Sequence, residues 1–279
     1  MLRRLLKYDL RATYKLSLTL LVAAIASSFV GSLCLYYIRS RVQSDEFELL
    51  DMAVNITTFI SIIAVIIALA MIPVTVFTRF YKNLYTDEGY LTFTLPASRF
   101  KIHLSKTLTA LIWAVAVMIV GAACVEIFFI MVPEEGGILF YIFETFLTII
   151  SVNVDAGWTV GYAVLMLILI IIIEAIAIAT VQLAITVGAL WAKKAKVLVG
   201  AACYYVVSSV ISFAAEMALL IGLSVFGDPI FSFLDSLESN LFHVVSMLLI
   251  LFVIVCAFGV FALIFATTQR MIDKRLNLA

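Results

Sequence analysis

"WTVGYAVLMLILIIIIEAIAIATVQLAITVGAL", Trp158 to Leu190, carries one charged residue, Glu174, in its whole length. A helix rises 1.5 Å per residue and needs about 20 mostly apolar residues to cross a bilayer. This run is long enough to cross with turns to spare. Five further runs meet the same requirement: Leu16 to Ile38, Val54 to Phe77, Leu108 to Val132, Val197 to Phe226 and Phe242 to Ala266. Backbone groups in lipid must be paired within their own segment or in a closed barrel. No barrel-type alternation of polar and apolar residues is present, so the runs read as α-helices. The expected fold is an all-α polytopic membrane protein, residues 1–279 forming a single transmembrane domain of six spans. Composition agrees: 65% of residues are hydrophobic and 13% charged, with a mean hydropathy of +1.20, whereas soluble chains carry about a quarter charged.

The net charge is zero, so its distribution is the informative quantity. Five basic residues precede span one (Arg3, Arg4, Lys7, Arg11, Lys15) and five follow span two (Arg79, Lys82, Arg99, Lys101, Lys106). Three follow span four (Lys193, Lys194, Lys196) and three end the chain (Arg270, Lys274, Arg275). Only Arg39 and Arg41 fall on the other side, which collects eleven acids, among them Asp45, Glu134, Asp155 and Asp228. Short cytoplasmic loops carry the excess of Lys and Arg, so both termini are expected in the cytoplasm. The start, "LRRLLKYDLRA", sets Leu2, Leu5, Leu6 and Leu10 beneath a basic rim and reads as an amphipathic helix lying flat before span one. Charges interleaved with leucines and the lack of a small-residue cleavage site argue against a cleaved signal peptide. Two outer segments, "ILFYIFETFLTIIS" and "PIFSFLDSLESNL", are too short to cross and read as interfacial or re-entrant helices.

Three acids lie inside spans. Glu174 is the deepest, roughly 24 Å along the helix from Trp158. A charge there costs several kcal/mol, so it should face protein or water or be protonated. A pathway role and a buried hydrogen bond, with Gln182 or a serine as partner, both fit. Glu126 and Glu216 lie nearer the outer ends. Small residues recur every four positions as Ala23, Ser27, Gly31 and as Ala24, Ser28, Ser32 in span one, and as Thr180, Ala184, Gly188, Ala192 in span four. This spacing lets backbones approach within one bundle or between subunits. Pro73 should kink span two by removing the hydrogen bond to Leu69.

The inventory excludes much chemistry. The only histidines, His103 and His243, lie on opposite sides of the membrane, too far apart for a zinc or serine-protease site. No G-x-x-x-x-G-K-[ST] loop is present to cradle ATP. Four cysteines sit singly in apolar runs, without metal or disulfide spacing. No catalytic residue, metal ligand, cofactor or nucleic-acid partner is expected in this chain.

The polar insert after span two is different. It contains a helical piece, "RFYKNLY", a turn, "TDEGY", an apolar strip, "LTFTL", then Pro96 and a restart at which Ser98 can cap the next helix. Such order suits a docking surface for a soluble partner. Asp87 and Glu88 offer carboxylates, and Gly89 allows a sharp turn.

"FYKNLYTDEGYLTFTLPASRFKIHLSKTL" resembles the cytoplasmic loop between the second and third spans of bacterial ABC-2-type exporter permeases. The shared pattern is an acidic residue, Gly, an apolar stretch, Leu-Pro, a small residue, Ser and a later Lys, here Glu88, Gly89, Leu91 to Thr94, Leu95, Pro96, Ala97, Ser98 and Lys106. Weaker likeness extends to the six-span layout, "AKKAKVLVGAACYY" and the "KRLNL" ending. The resemblance implies a permease subunit of the bacterial cytoplasmic membrane that lacks its own nucleotide-binding domain. Two such subunits, identical or different, would pair among membrane lipids. Each would engage a separate ATPase, which binds ATP and Mg, through a coupling loop at 78–107 with Asp87, Glu88, Gly89 and Tyr90 at the contact. Spans two and five would line the path of an amphipathic cargo such as a peptide antibiotic, drug or lipid. No family motif fixes Glu126, Glu174 or Glu216, so their assignment as pathway or gate residues, with Pro73, stays with the physical reading. The alternatives are a proton-coupled secondary transporter using Glu174, and a non-transporting scaffold or immunity protein.

Overall fold

Along the first 40 residues the inward-turned positions recur every three or four: Leu2, Leu5, Leu6, Asp9, Leu10, Thr13, Ser17, Leu21, Ala24, Ser28, Gly31 and Ser32. That is one unbroken helical stripe. In the computed structural model, which describes residues 1–41, 49–86, 88–89, 92, 94, 96–129, 156–191, 195–235 and 239–275, it forms a single helix, α1, Leu2–Arg41. The amphipathic start therefore does not turn aside to lie flat. It continues the face that packs inside the bilayer, because no glycine or proline interrupts the first thirty positions.

Five more helices follow: α2 Leu49–Tyr85, α3 Arg99–Phe129, α4 Ala156–Trp191, α5 Lys196–Asp235 and α6 Ser239–Arg275. Each contains a stretch long and apolar enough to cross a membrane, as does α1. The chain is an all-α, multi-pass membrane protein; five of the expected spans lie within these helices, and the third, Leu108 to Val132, does so as far as Phe129, its last three residues lying outside the described ones. The outer segment 138–151 lies outside the described residues. The other, after span five, begins as a direct continuation of α5, which runs to Asp235.

Large apolar side chains such as Ile60, Ile66, Leu167 and Leu263 are more than half exposed. In lipid this is the expected arrangement, since hydrocarbon solvates leucine as well as a protein core does and helices associate through close packing and polar contacts. The interior is correspondingly rich in small and hydroxylated residues. Ser17, Ser28, Ser32, Thr107, Thr180, Thr186 and Thr268 are all nearly or fully buried.

The chain divides into two compact units, and α2 and α3 contribute to both. The first comprises Met1–Arg79 and Leu108–Asn153. Its core joins Ala24 of α1 to Val65 and Ala68 of α2 and to Cys124 and Phe128 of α3. Gly31 lies where any side chain would collide with Phe128 and Ser61, so that span-one glycine is used for packing inside the unit. Trp113 Nε1 donates to Thr13 Oγ1 at 2.9 Å, and Arg79 donates to the Ala12 carbonyl at 3.3 Å.

The second unit comprises Phe80–Thr107 and Val154–Ala279. Here α4 packs against both α5 and α6, which scarcely touch each other. At the α4–α5 crossing a Cβ on Gly188 would stand 3.0 Å from the Gly200 Cα and strike the Lys196 carbonyl. Ala184 and Thr180, one and two turns earlier, are buried on the same stripe. Helices α4 and α6 run parallel and are joined near both ends by a buried histidine. Near their starts, Tyr162 of α4 meets His243 of α6, hydroxyl to Nδ1 at 3.2 Å, with Trp158 stacked on the ring. Near their ends, Gln182 of α4 and Gln269 of α6 both reach His103 of α3.

Candidate functional site

The connection between α2 and α3 is held to its flanking helices by specific contacts. The last turn of α2 buries Phe80 and Leu84 against Ile272 of α6, and Tyr85 donates or accepts a hydrogen bond with Thr186 of α4 at 2.7 Å. Beyond it the chain doubles back: the Gly89 N–H donates to the Thr86 carbonyl at 2.8 Å. Gly89 is buried, and a Cβ there would lie 2.8 Å from the Leu84 carbonyl oxygen. Backbone cannot yield as a flexible side chain can, so the close approach itself requires glycine. Its neighbour Glu88 is exposed. The Asn83 carboxamide, turned to satisfy both ends, donates to Glu88 Oε2 at 3.1 Å and accepts from Lys106 Nζ at 2.7 Å. One amide thus links the carboxylate after α2 to the ammonium of α3. Ser98 caps α3, accepting from the Lys101 N–H at 3.4 Å.

Beneath this connection lies a buried polar cluster that sequence reasoning missed. His103 is fully buried, its ring stacked flat on Phe265 with centroids 4.3 Å apart. Gln269 Nε2 donates to Asp273 Oδ1 at 3.0 Å, which turns its Oε1 toward the imidazole 3.1 Å from Nδ1. Gln182 Oε1 lies 3.3 Å from Nε2 and accepts from Thr107 Oγ1 at 2.9 Å. Arg99, one turn before His103, donates to the Asp273 carbonyl at 2.9 Å. The ring lies on the stretch of α3, Arg99 to Phe128, that is long and apolar enough to cross a membrane. The available sequence signal was the placement of His103, Gln182 and Gln269 near helix ends on the basic side. Periodicity alone does not pair residues so far apart in the chain.

The other singled-out residues are dispersed. Of the four contact residues expected in the loop, Glu88 and Gly89 belong to the connection just described, while Asp87 and Tyr90 lie outside the described residues. Glu174 is half-buried midway along α4. Gln182, its expected partner, is committed to His103 and Thr107, and no hydrogen bond joins Glu174 to another side chain among the described residues. Glu216 is exposed on α5, sharing a face at helical spacing with exposed Ser209 and Ser212. In the first unit, Glu126 is half-buried near the end of α3, and Pro73 is exposed within an α2 that continues as helix through it. Among the described residues no group of three or more His, Cys, Asp or Glu converges as a metal site would require.

No protein-family model, curated protein or solved structure matches this chain.

Proposed function

We propose that this chain is the membrane-spanning subunit of an ATP-driven exporter, moving an amphipathic cargo with work supplied by a separate ATPase docked at the α2–α3 connection. The observation that carries this reading is the form of that connection: Glu88 is presented outward while Gly89 is packed onto the end of α2. A turn whose backbone is fixed and whose carboxylate is exposed suits a load-bearing contact with a basic partner surface. The resemblance of Phe80 to Leu108 to the coupling loop of ABC-2-type permeases supplies the partner class. On this reading the chain performs no chemistry, the ATPase holds ATP and Mg, and the membrane is the bacterial cytoplasmic membrane with both termini inside.

Pairing of two subunits belongs to the same proposal. An exposed carboxylate on a helix otherwise lined by Val210, Phe213, Leu220 and Ile221 is costly against lipid. A second subunit or an aqueous path against the Ser209, Ser212 and Glu216 face would remove that cost.

The test is to look for a neighbouring gene that encodes a P-loop ATPase, to co-purify its product with this chain, and to measure ATP hydrolysis across candidate amphipathic compounds. Glu88→Arg is expected to abolish stimulation of hydrolysis while leaving expression intact; unchanged stimulation refutes the docking assignment. A proton-coupled transporter is the second reading, favoured by the half-buried Glu174 without a hydrogen-bond partner among the described residues. It requires that Glu174→Gln abolish uptake or export driven by a pH gradient in vesicles without ATP.

A further inference from the structure

We propose that His103 is a positioning residue that joins the α2–α3 connection to the basic ends of α4 and α6, so that these three segments open and close as one cooperative unit.

The joint is built from four elements of the second unit. From α3 come the imidazole itself and Thr107; from α4 comes Gln182; from α6 come Gln269, Asp273 and the Phe265 ring; from α2 comes Phe80, its ring centroid 6.2 Å from the imidazole. The connection is attached to the same elements by Tyr85 on Thr186 and by the Asn83 link from Glu88 to Lys106. Thr186 lies one turn from Gln182 and donates to the Gln182 carbonyl at 2.7 Å, so both attachments bear on one turn of α4. A displacement of Tyr85 or Lys106 is therefore felt at Gln182 and His103 through direct contacts.

Imidazole chemistry explains why this position holds histidine. The ring presents two polar atoms on opposite edges, which lets one residue of α3 engage α4 and α6 at once, and its flat face stacks on Phe265. An amide oxygen faces each edge, Gln269 Oε1 at Nδ1 and Gln182 Oε1 at Nε2, and the Thr107 hydroxyl lies within hydrogen-bond reach of both Gln182 Oε1 and the His103 carbonyl. The charged and titratable groups around the ring are Asp273 on α6, reached through Gln269, Arg99 and Lys106 on α3, and Tyr85 on α2; the described residues of α4 beside it, Gln182 and Thr186, carry no charge.

Cooperativity is a property of the chain alone. Its use, passing a load from the connection to α4 and α6, rests on the docking reading above.

The experiment is hydrogen exchange with peptide-level mass spectrometry on the full chain in lipid nanodiscs, without any partner, corrected for intrinsic exchange rates. In His103→Ala, residues 80–89, 182–188 and 265–273 are expected to exchange roughly tenfold to hundredfold faster, all three together, with residues 160–170 unchanged. His103→Gln keeps a planar amide that can reach one of the two partners and should restore part of the protection in all three segments. Faster exchange confined to residues 99–107, or exchange that rises in one of the three segments and not in the others, would overturn the proposal. If His103→Ala does not fold, His103→Gln, expected to raise exchange in the three segments by one smaller common factor, decides alone. Because no ATPase is present, failure here leaves the docking reading standing, and failure of docking leaves these exchange rates untouched.

Discussion

His103 is the residue at which α3, α4 and α6 meet, with Gln182 on one edge of the ring and Gln269 on the other. Removing the ring leaves the buried Gln182 amide and the half-buried Gln269 amide each short of a partner, so His103→Ala is expected to lower the thermal unfolding midpoint of the solubilised protein, at a cost on the order of 1–3 kcal/mol. His103→Gln should fall between that variant and the unsubstituted chain; an unchanged midpoint in His103→Ala would remove the joint as a source of stability. Glu174 and Glu216 stand in contrast. Neither has a partner of this kind among the described side chains, and both keep the character the sequence suggested, acids in apolar helices that ask for water, a proton or a neighbour.

Helix packing makes the glycines unequal. A side chain at Gly188 meets the backbone of Lys196 and Gly200, while at Gly259 of α6 nothing lies within 4 Å among the described residues. Gly188→Leu should therefore lower the unfolding midpoint sharply and reduce folded yield, because two backbones must separate. Gly259→Ala should be neutral or raise stability by up to about 1 kcal/mol, since only helix propensity changes. Equal effects of the two substitutions would remove the close crossing from the account. These small-residue stripes were legible in the sequence at four-residue spacing, as were all six helices, since apolar length alone specifies a span. Less legible was the fate of the amphipathic start, whose stripe from Leu2 to Leu10 carries on in phase through Thr13, Ser17 and Ala24. Read as a separate element, it lost the continuity that makes it part of α1. The clusters at His103 and His243 were hidden for a different reason: each joins residues about eighty or more positions apart, and local pattern carries no information on such pairing.

At the scale of the molecule, the excess of Lys and Arg leads to the expectation that both termini and the α2–α3 connection are cytoplasmic, and that expectation is open to direct measurement. With the native cysteines replaced, Lys101→Cys is expected to react with a membrane-impermeant maleimide in inside-out vesicles and to stay unlabelled in right-side-out ones. Labelling from outside would reverse the topology and, with it, the proposed docking of an ATPase. The two histidine joints of the α4–α6 pair have a further consequence, because they fix a length. Tyr162 and Gln182 are separated along α4 by about 30 Å, the thickness of an average hydrocarbon core. Polar contacts pinned at both rims cannot slide along the helix to suit a thicker bilayer without drawing Tyr162 or Gln182 into acyl chains. Mismatch must instead be met by tilt or by deforming the lipid. The pair thus behaves as a ruler: the unfolding midpoint in vesicles of graded acyl length should peak near 30 Å of hydrocarbon and fall on either side, giving the protein a preference among membranes that is set by thickness and independent of headgroup.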